Sequence, residues 1–210
     1  MRPDLAERLR LTLVVSRDEA APRAVTELAE AAFAGGVTAL QLREKGALSD
    51  REFYEEALEL REFCRARNRL FLLDDRLDLA LAADADGVHL GQKDLPAAVA
   101  ARLLPPGRIL GVSVRTVAEA RAALADGAAY LGVGAVFPTG SKDDAVLVKP
   151  ETVREISALG APTVAIGGLT LANVKAAWAL GVTGLAVISA LTRAADPRAA
   201  AAGLLEGAGI

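Results

Sequence analysis

Eight short apolar runs recur along the chain at nearly even spacing, and they constrain its fold more than any other feature. They are LTLVVS (11–16), VTALQLRE (37–44), LFLLDD (70–75), GVHLG (87–91), ILGVSV (109–114), YLGVGAVF (130–137), TVAIGG (163–168) and GLAVIS (184–189). Most are near-continuous rather than alternating, which is the pattern of parallel strands covered by helices. Between them lie Ala-, Leu-, Glu- and Arg-rich segments with helical spacing, as at 23–34, 49–67, 116–125 and 171–179. These contain good helix formers and few Gly or Pro. Asp50, Asp94 and Thr116 suit an N-cap or first turn, and Pro96 suits a helix start.

A weak repeat supports the same reading. AFAGGVTALQL, AADADGVHLG, LADGAAYLGVG and WALGVTGLAVI each run from an Ala-rich helix end through Gly into the second, fourth, sixth or eighth strand. Gly at that place suits a left-handed C-terminal cap. Eight βα units in 210 residues leave about 26 residues each, near the compact limit of a (βα)8 barrel. The expected fold is therefore α/β, a single compact (βα)8 TIM barrel over residues 1–210. An open doubly wound sheet is the alternative, but it usually needs fewer strands.

Composition narrows the chemistry. A single His, His89, cannot supply a two-His metal site, and a single Cys, Cys64, cannot form an internal disulfide or a Cys-rich zinc site. Catalysis would have to run on carboxylates, Lys, Arg, hydroxyls, backbone amides or a bound ion. The net charge of −3 argues against a general nucleic-acid binder. No apolar run reaches the roughly 18 residues of a membrane span, and the charged start MRPDLAERLR does not read as a signal peptide. The expectation is a soluble, cytoplasmic protein with small-molecule partners, no nucleic acid and no membrane. An oligomer is compatible with the sequence.

In such a barrel the active site lies where the strands end. The polar residues there are Gln41, Arg43, Glu44 and Lys45, then Asp74, Asp75 and Arg76, then His89, Gln92, Lys93 and Asp94. Ser113 and Arg115 follow on the fifth strand, and Thr139, Ser141 and Lys142 after the sixth. The seventh ends in Gly167-Gly168 and the eighth in Ser189. Cations and hydroxyls on several loops suit an anionic ligand. The neighbouring acidic loops suit a hard cation such as Mg²⁺, which joins one or two carboxylates to substrate phosphates. Each residue also has a plainer reading. Asp75 and Asp94 could cap helices, Arg43 and Lys45 could be a solvated strand end, and Gly167-Gly168 could be a tight turn. His89, inside an apolar strand, reads as a packed or hydrogen-bonded residue rather than a catalyst, and Cys64 as a small buried one.

Taken together, QLREK (41–45), DDR (74–76), ADGVHLGQKD (85–94), GVSVRT (111–116), TGSK (139–142), AIGG (165–168) and VIS (187–189) resemble the thiamine-phosphate synthase family through nearly the whole chain. The resemblance implies a (βα)8 barrel. It also implies a reaction joining 4-amino-2-methyl-5-hydroxymethylpyrimidine diphosphate to a thiazole phosphate, with release of pyrophosphate. It would place Gln41, Arg43, Lys45, Asp74, Ser113 and Lys142 on the pyrimidine diphosphate. Thr139, Ser141, Gly168, Ile188 and Ser189 would hold the thiazole phosphate, and Asp75 and Asp94 would hold Mg²⁺. Two positions depart from the family pattern. Asp74 stands where the family usually has Asn, adding a negative charge that Mg²⁺ or protonation would have to offset. TGSK stands in place of TPTK. A related thiazole tautomerase, another phosphate-binding barrel enzyme and a non-catalytic phosphate-ligand binder are the competing readings. The tautomerases use a His where this chain has Arg115.

Overall fold

The computed structural model describes residues 5–45, 48–140 and 146–210, and all eight apolar runs pair in it as parallel strands. They are β1 (Leu11–Val15), β2 (Ala39–Leu42), β3 (Leu70–Asp74), β4 (Gly87–Leu90), β5 (Ile109–Val114), β6 (Tyr130–Val133), β7 (Thr163–Ile166) and β8 (Gly184–Val187). Each pairs with the next, and β8 returns to β1, giving a closed (βα)8 barrel. Among the described residues, no helix is long and apolar enough to cross a membrane.

Side-chain alternation sorts each strand into two environments. Leu40 and Leu42, Phe71 and Leu73, Val88 and Leu90, and Leu131 and Val133 pack outward against the helices. Val14, Ala39, Leu70, Leu72, Ile109, Tyr130, Val164 and Ala186 fill the interior, with Leu5 and Leu9 of the N-terminal segment packed among them. The inward parity continues to Gln41 on β2, Asp74 on β3, His89 on β4 and Ser113 on β5. The apolar interior thus turns polar as the strands approach their C-terminal ends. Near-continuous hydrophobicity follows from having apolar neighbours on both sides of the sheet.

Helix starts obey local chemistry. Ser49 and Thr116 are N-caps in reciprocal capping boxes with Glu52 and Glu119. Asp50 is accordingly a first-turn residue rather than a cap. Pro96, not Asp94, precedes the helix Ala97–Leu103. The helix expected over 171–179 begins only at Val174. The side chain of Asn173 accepts from the Thr170 N–H and donates to the Gly168 carbonyl, both at 2.8 Å, and this holds a turn where a helix would otherwise start.

The helix-Gly-strand repeat is met at Gly36, Gly127 and Gly181, all left-handed. It fails before β4, where Asp84 takes the left-handed conformation (φ 55°). Asp84 is tied there by Arg108 and Arg61. Gly87 instead lies within β4, where a Cβ would run into the Ile109 carbonyl. The strands are also shorter than the apolar runs. The run at 37–44 pairs only over 39–42, although the Arg43 N–H still bonds to the Val15 carbonyl at 2.9 Å.

Candidate active site

The barrel mouth divides into a charged half above β2–β4 and a small-residue half above β5–β8. In the charged half, Asp74 is buried at the inner end of β3. The Gln41 Nε2 amide donates to Asp74 Oδ1, and Arg43 Nε lies 3.6 Å from Asp74 Oδ2. Among the described residues Arg43 thus supplies a counter-charge to Asp74, a partner that neither expectation for this position included. A buried carboxylate is tolerable when it is paired and hydrogen-bonded.

The polar strand ends separate into two groups. Arg76 is held by Asp50 and Asp78, each at 2.7 Å, and this raises its pKa further above its ordinary value. Glu44 accepts from the Arg17 N–H at 2.9 Å, and burial pushes its carboxyl up. These residues brace the rim. Lys45 is exposed at the end of the same segment.

Asp75 is exposed, sits at φ 66°, and donates its N–H to the His89 carbonyl at 2.9 Å. Asp is among the few side chains that adopt this conformation readily. Asp94 accepts the Gly91 N–H on Oδ2 at 2.7 Å. Neither residue caps a helix. Both follow hydrogen-bonded neighbours, β3 and β4, at the same end of the barrel. Among the described residues no group of three or more His, Cys, Asp or Glu forms a metal cage. The available donor set is two carboxylates, all oxygen. That suits an ion such as Mg²⁺, which keeps water and shares substrate phosphates, and not a zinc-type cage.

The small-residue half is a cavity lined by Ser113, Arg115, Thr139, Gly167, Gly168, Leu169, Ile188 and Ser189, with Gly132 and Ala186 at its base. It brings Thr139, Gly168, Ile188 and Ser189 together. Ser113 also lies on this wall, between the two halves. Ser141 and Lys142 fall outside the described residues. Gly168 has φ 66°, and a Cβ there would run into the Pro138 carbonyl and lie 2.8 Å from that of Phe137. The Val136 and Phe137 N–H groups bond to the Ile166 and Gly167 carbonyls, so the segment after β6 lies directly across this turn. The glycines are therefore required by chain packing as well as being open to a ligand. Ser189 starts the short helix Ser189–Thr192, and the leading N–H groups of a helix lack intrahelical partners.

His89 is buried, with Nδ1 2.8 Å from the Tyr130 hydroxyl and Nε2 2.8 Å from Ser113 Oγ. The hydrogen-bonded reading of this residue holds. Tyr130 carried no signal in the motifs, although its inward parity on β6 could have placed it beside His89. Arg115 was legible as a rim residue but not as part of this cavity wall. Cys64 is on the buried face of the helix Asp50–Ala66, and burial pushes its thiol up to about 12, which disfavours the thiolate.

Comparison with known proteins bears on the family and the fold. A family model described as thiamine monophosphate synthase matches residues 11–191. A thiamine-phosphate synthase of Coprothermobacter proteolyticus is 44% identical over 206 residues, covering 98% of this chain and 97% of that protein. One from Moorella thermoacetica is 48% identical over 198 residues, covering 93% and 94%. A solved structure of thiamine phosphate pyrophosphorylase from Pyrococcus furiosus matches with a TM-score of 0.88 at 41% identity, covering 98% of both chains. A 3-hexulose-6-phosphate synthase at 20% identity and TM-score 0.69, covering 94% and 99%, shares the fold alone. With the barrel, the order of its motifs and full-length relatives in agreement, the chain belongs to the thiamine monophosphate synthase family and is an enzyme of the transferase class.

Proposed function

We propose that residues 1–210 act as one catalytic barrel. It joins 4-amino-2-methyl-5-hydroxymethylpyrimidine diphosphate to a thiazole phosphate, giving thiamine phosphate and pyrophosphate. The observation that carries this reading is the division of the mouth into two unlike halves. Gln41, Arg43, Lys45, Asp74 and Ser113, with Lys142, would hold the pyrimidine diphosphate. Thr139, Gly168, Ile188 and Ser189, with Ser141, would hold the thiazole phosphate through hydroxyls and backbone N–H groups. Asp75 and Asp94 would hold Mg²⁺, which when bound supplies charge neutralisation to a departing diphosphate.

The chemistry asks for little else from side chains. In a dissociative reaction the diphosphate leaves and the thiazole nitrogen attacks with its own lone pair, so no proton has to be removed from the nucleophile. The protein's work is to stabilise negative charge on the leaving group and to hold two rings in line. Arg43 and the lysines are suited to the first task, and the narrow glycine-walled cavity to the second. The tautomerase reading needs acid–base work from a His in the cavity wall. Here that place is Arg115, and His89 is engaged on both ring nitrogens.

The deciding assay mixes the purified protein with both substrates and Mg²⁺ and measures thiamine phosphate. Tautomerisation of a thiazole carboxylate, with no thiamine phosphate, would overturn the reading.

Position 74 gives a finer test. In Asp74→Asn the carbonyl oxygen can still accept from Gln41, while the ion pair to Arg43 is lost and the guanidinium is released toward the diphosphate. Activity is expected to stay within a few-fold of wild type or to rise, with an unchanged or lower KM for the pyrimidine diphosphate. A loss of about a hundredfold, some 2.7 kcal/mol, would show that the carboxylate has a specific role of its own.

A further inference from the structure

The register of four adjacent strands places Asp74, His89, Gly111 and Tyr130 at one level of the barrel interior. Ser113, paired with Gly132, is the next inward-facing position toward the mouth. The His89 ring bridges these levels, from the Tyr130 hydroxyl below to Ser113 Oγ above. Room for it is built into the neighbouring strands. A Cβ on Gly111 would strike the Tyr130 ring and lie 2.5 Å from His89 Nδ1, and one on Gly132 would lie 2.8 Å from His89 Cε1. Two residues without side chains thus admit one aromatic pair, with ring centroids 5.3 Å apart.

A neutral imidazole carries one N–H, so a chain of this kind runs in one of two directions. In the first, the Tyr130 O–H donates to Nδ1, Nε2–H donates to Ser113 Oγ, and the Ser113 O–H is left to point into the cavity. In the second, Ser113 donates into Nε2, Nδ1–H donates to the phenol oxygen, and the Tyr130 O–H needs another acceptor. Tyr130 is fully buried among Leu72, Ile109, Val164 and other apolar residues. Among the described residues, the hydrogen bond recorded for its hydroxyl is the one to His89. Burial, with the charge of Asp74 adding to it, raises the Tyr130 pKa well above its ordinary value, so the phenol keeps its proton. A buried donor without an acceptor is costly, and this selects the first direction. An imidazolium would strand the Tyr130 O–H in the same way as the second.

We infer that Tyr130 and His89 are positioning residues that hold the Ser113 hydroxyl as a one-way donor aimed at an anionic oxygen of the ligand in the barrel mouth. In the reversed chain Ser113 would face the same oxygen with lone pairs. The inference deepens the synthase reading and rests on it for the identity of that ligand, the pyrimidine diphosphate.

The single His makes the test direct. In the full chain labelled with ¹⁵N-histidine, the imidazole signals belong to His89 without assignment. At about pH 8, above the ordinary imidazole range, the neutral Nε2–H tautomer is expected; the Nδ1–H tautomer or an imidazolium would overturn the inference. Tyr130→Phe is expected to convert the signal to a mixture of tautomers. It should also lower kcat/KM for the pyrimidine diphosphate about tenfold, leaving the KM for the thiazole phosphate unchanged. His89→Gln places an amide N–H near the Nε2 position, so adding Tyr130→Phe to it should cause no further loss. Losses that simply multiply would mean the pair acts by packing alone. A wild-type chain that makes no thiamine phosphate would sink the synthase reading, while the tautomer, read without substrate, still decides the inference.

Discussion

Asp94→Asn and Asp75→Asn are each expected to lower thiamine phosphate formation by about a hundredfold or more, the usual loss when a main stabiliser of developing charge is removed. Asn is the informative replacement at both sites. At 94 an amide oxygen can still accept the Gly91 N–H, which the carboxylate accepts at 2.7 Å. At 75 Asn tolerates the left-handed conformation about as well as Asp does. The fold should therefore survive, and the loss should fall on the response to the metal. Rates measured across a Mg²⁺ series should show the apparent metal requirement moving to much higher concentration. Near-wild-type rates with an unchanged Mg²⁺ response in either variant would remove that residue from the metal assignment.

Gly168→Ala is expected to cost about 3 kcal/mol of folding stability. A non-Gly residue at positive φ loses roughly 1–2 kcal/mol, and overpacking adds a comparable amount. The obstructing atoms are the carbonyls of Pro138 and Phe137, which are backbone and cannot rotate aside. Urea denaturation would measure the loss. Thiazole phosphate binding should fall with it, since relief of the clash means moving the segment that lies across the cavity. Gly140→Ala is the matched control. Among the described residues nothing lies within 4 Å of a Cβ there, so its stability should change by no more than about 0.5 kcal/mol. Equal effects at the two positions would mean that the segment after β6 yields freely, and that the turn at 167–168 is not packed as described.

The barrel was legible because its cause is local and repeated. Most strands are near-continuous apolar runs, and four helical segments show in their spacing, one of them with Thr116 at its start; the Ser49 cap, one residue before Asp50, emerged only in the structure. Three of four glycine caps followed the same logic. The fourth was misread because Gly87 answers a long-range demand, the approach of the Ile109 backbone, while Asp84 takes the turn with help from Arg61 and Arg108. The late start at Val174 has a similar origin, since Asn173 bonds back to Gly168 at the mouth.

The motifs located the rim residues without showing how they are paired. Arg43 and Arg76 look alike in the sequence, each a cation close to an acidic loop. Arg43 lies inside the mouth against Asp74, whereas Arg76 is turned onto Asp50 and Asp78. Tyr130 looked like an ordinary apolar strand residue until the barrel closed and set it beside His89.

By itself, then, the sequence determined the number of strands, their parallel arrangement, the end of the barrel that carries the polar residues and the residue types available there. All of these follow from periodicity and composition, which are properties of short stretches. The tertiary structure alone decided that Arg43 lies against Asp74, that Gly168 is crossed by the Pro138 and Phe137 backbone, and that His89 links Tyr130 to Ser113. Each of these depends on the register between strands distant in the chain, and register is set only when the whole interior packs at once.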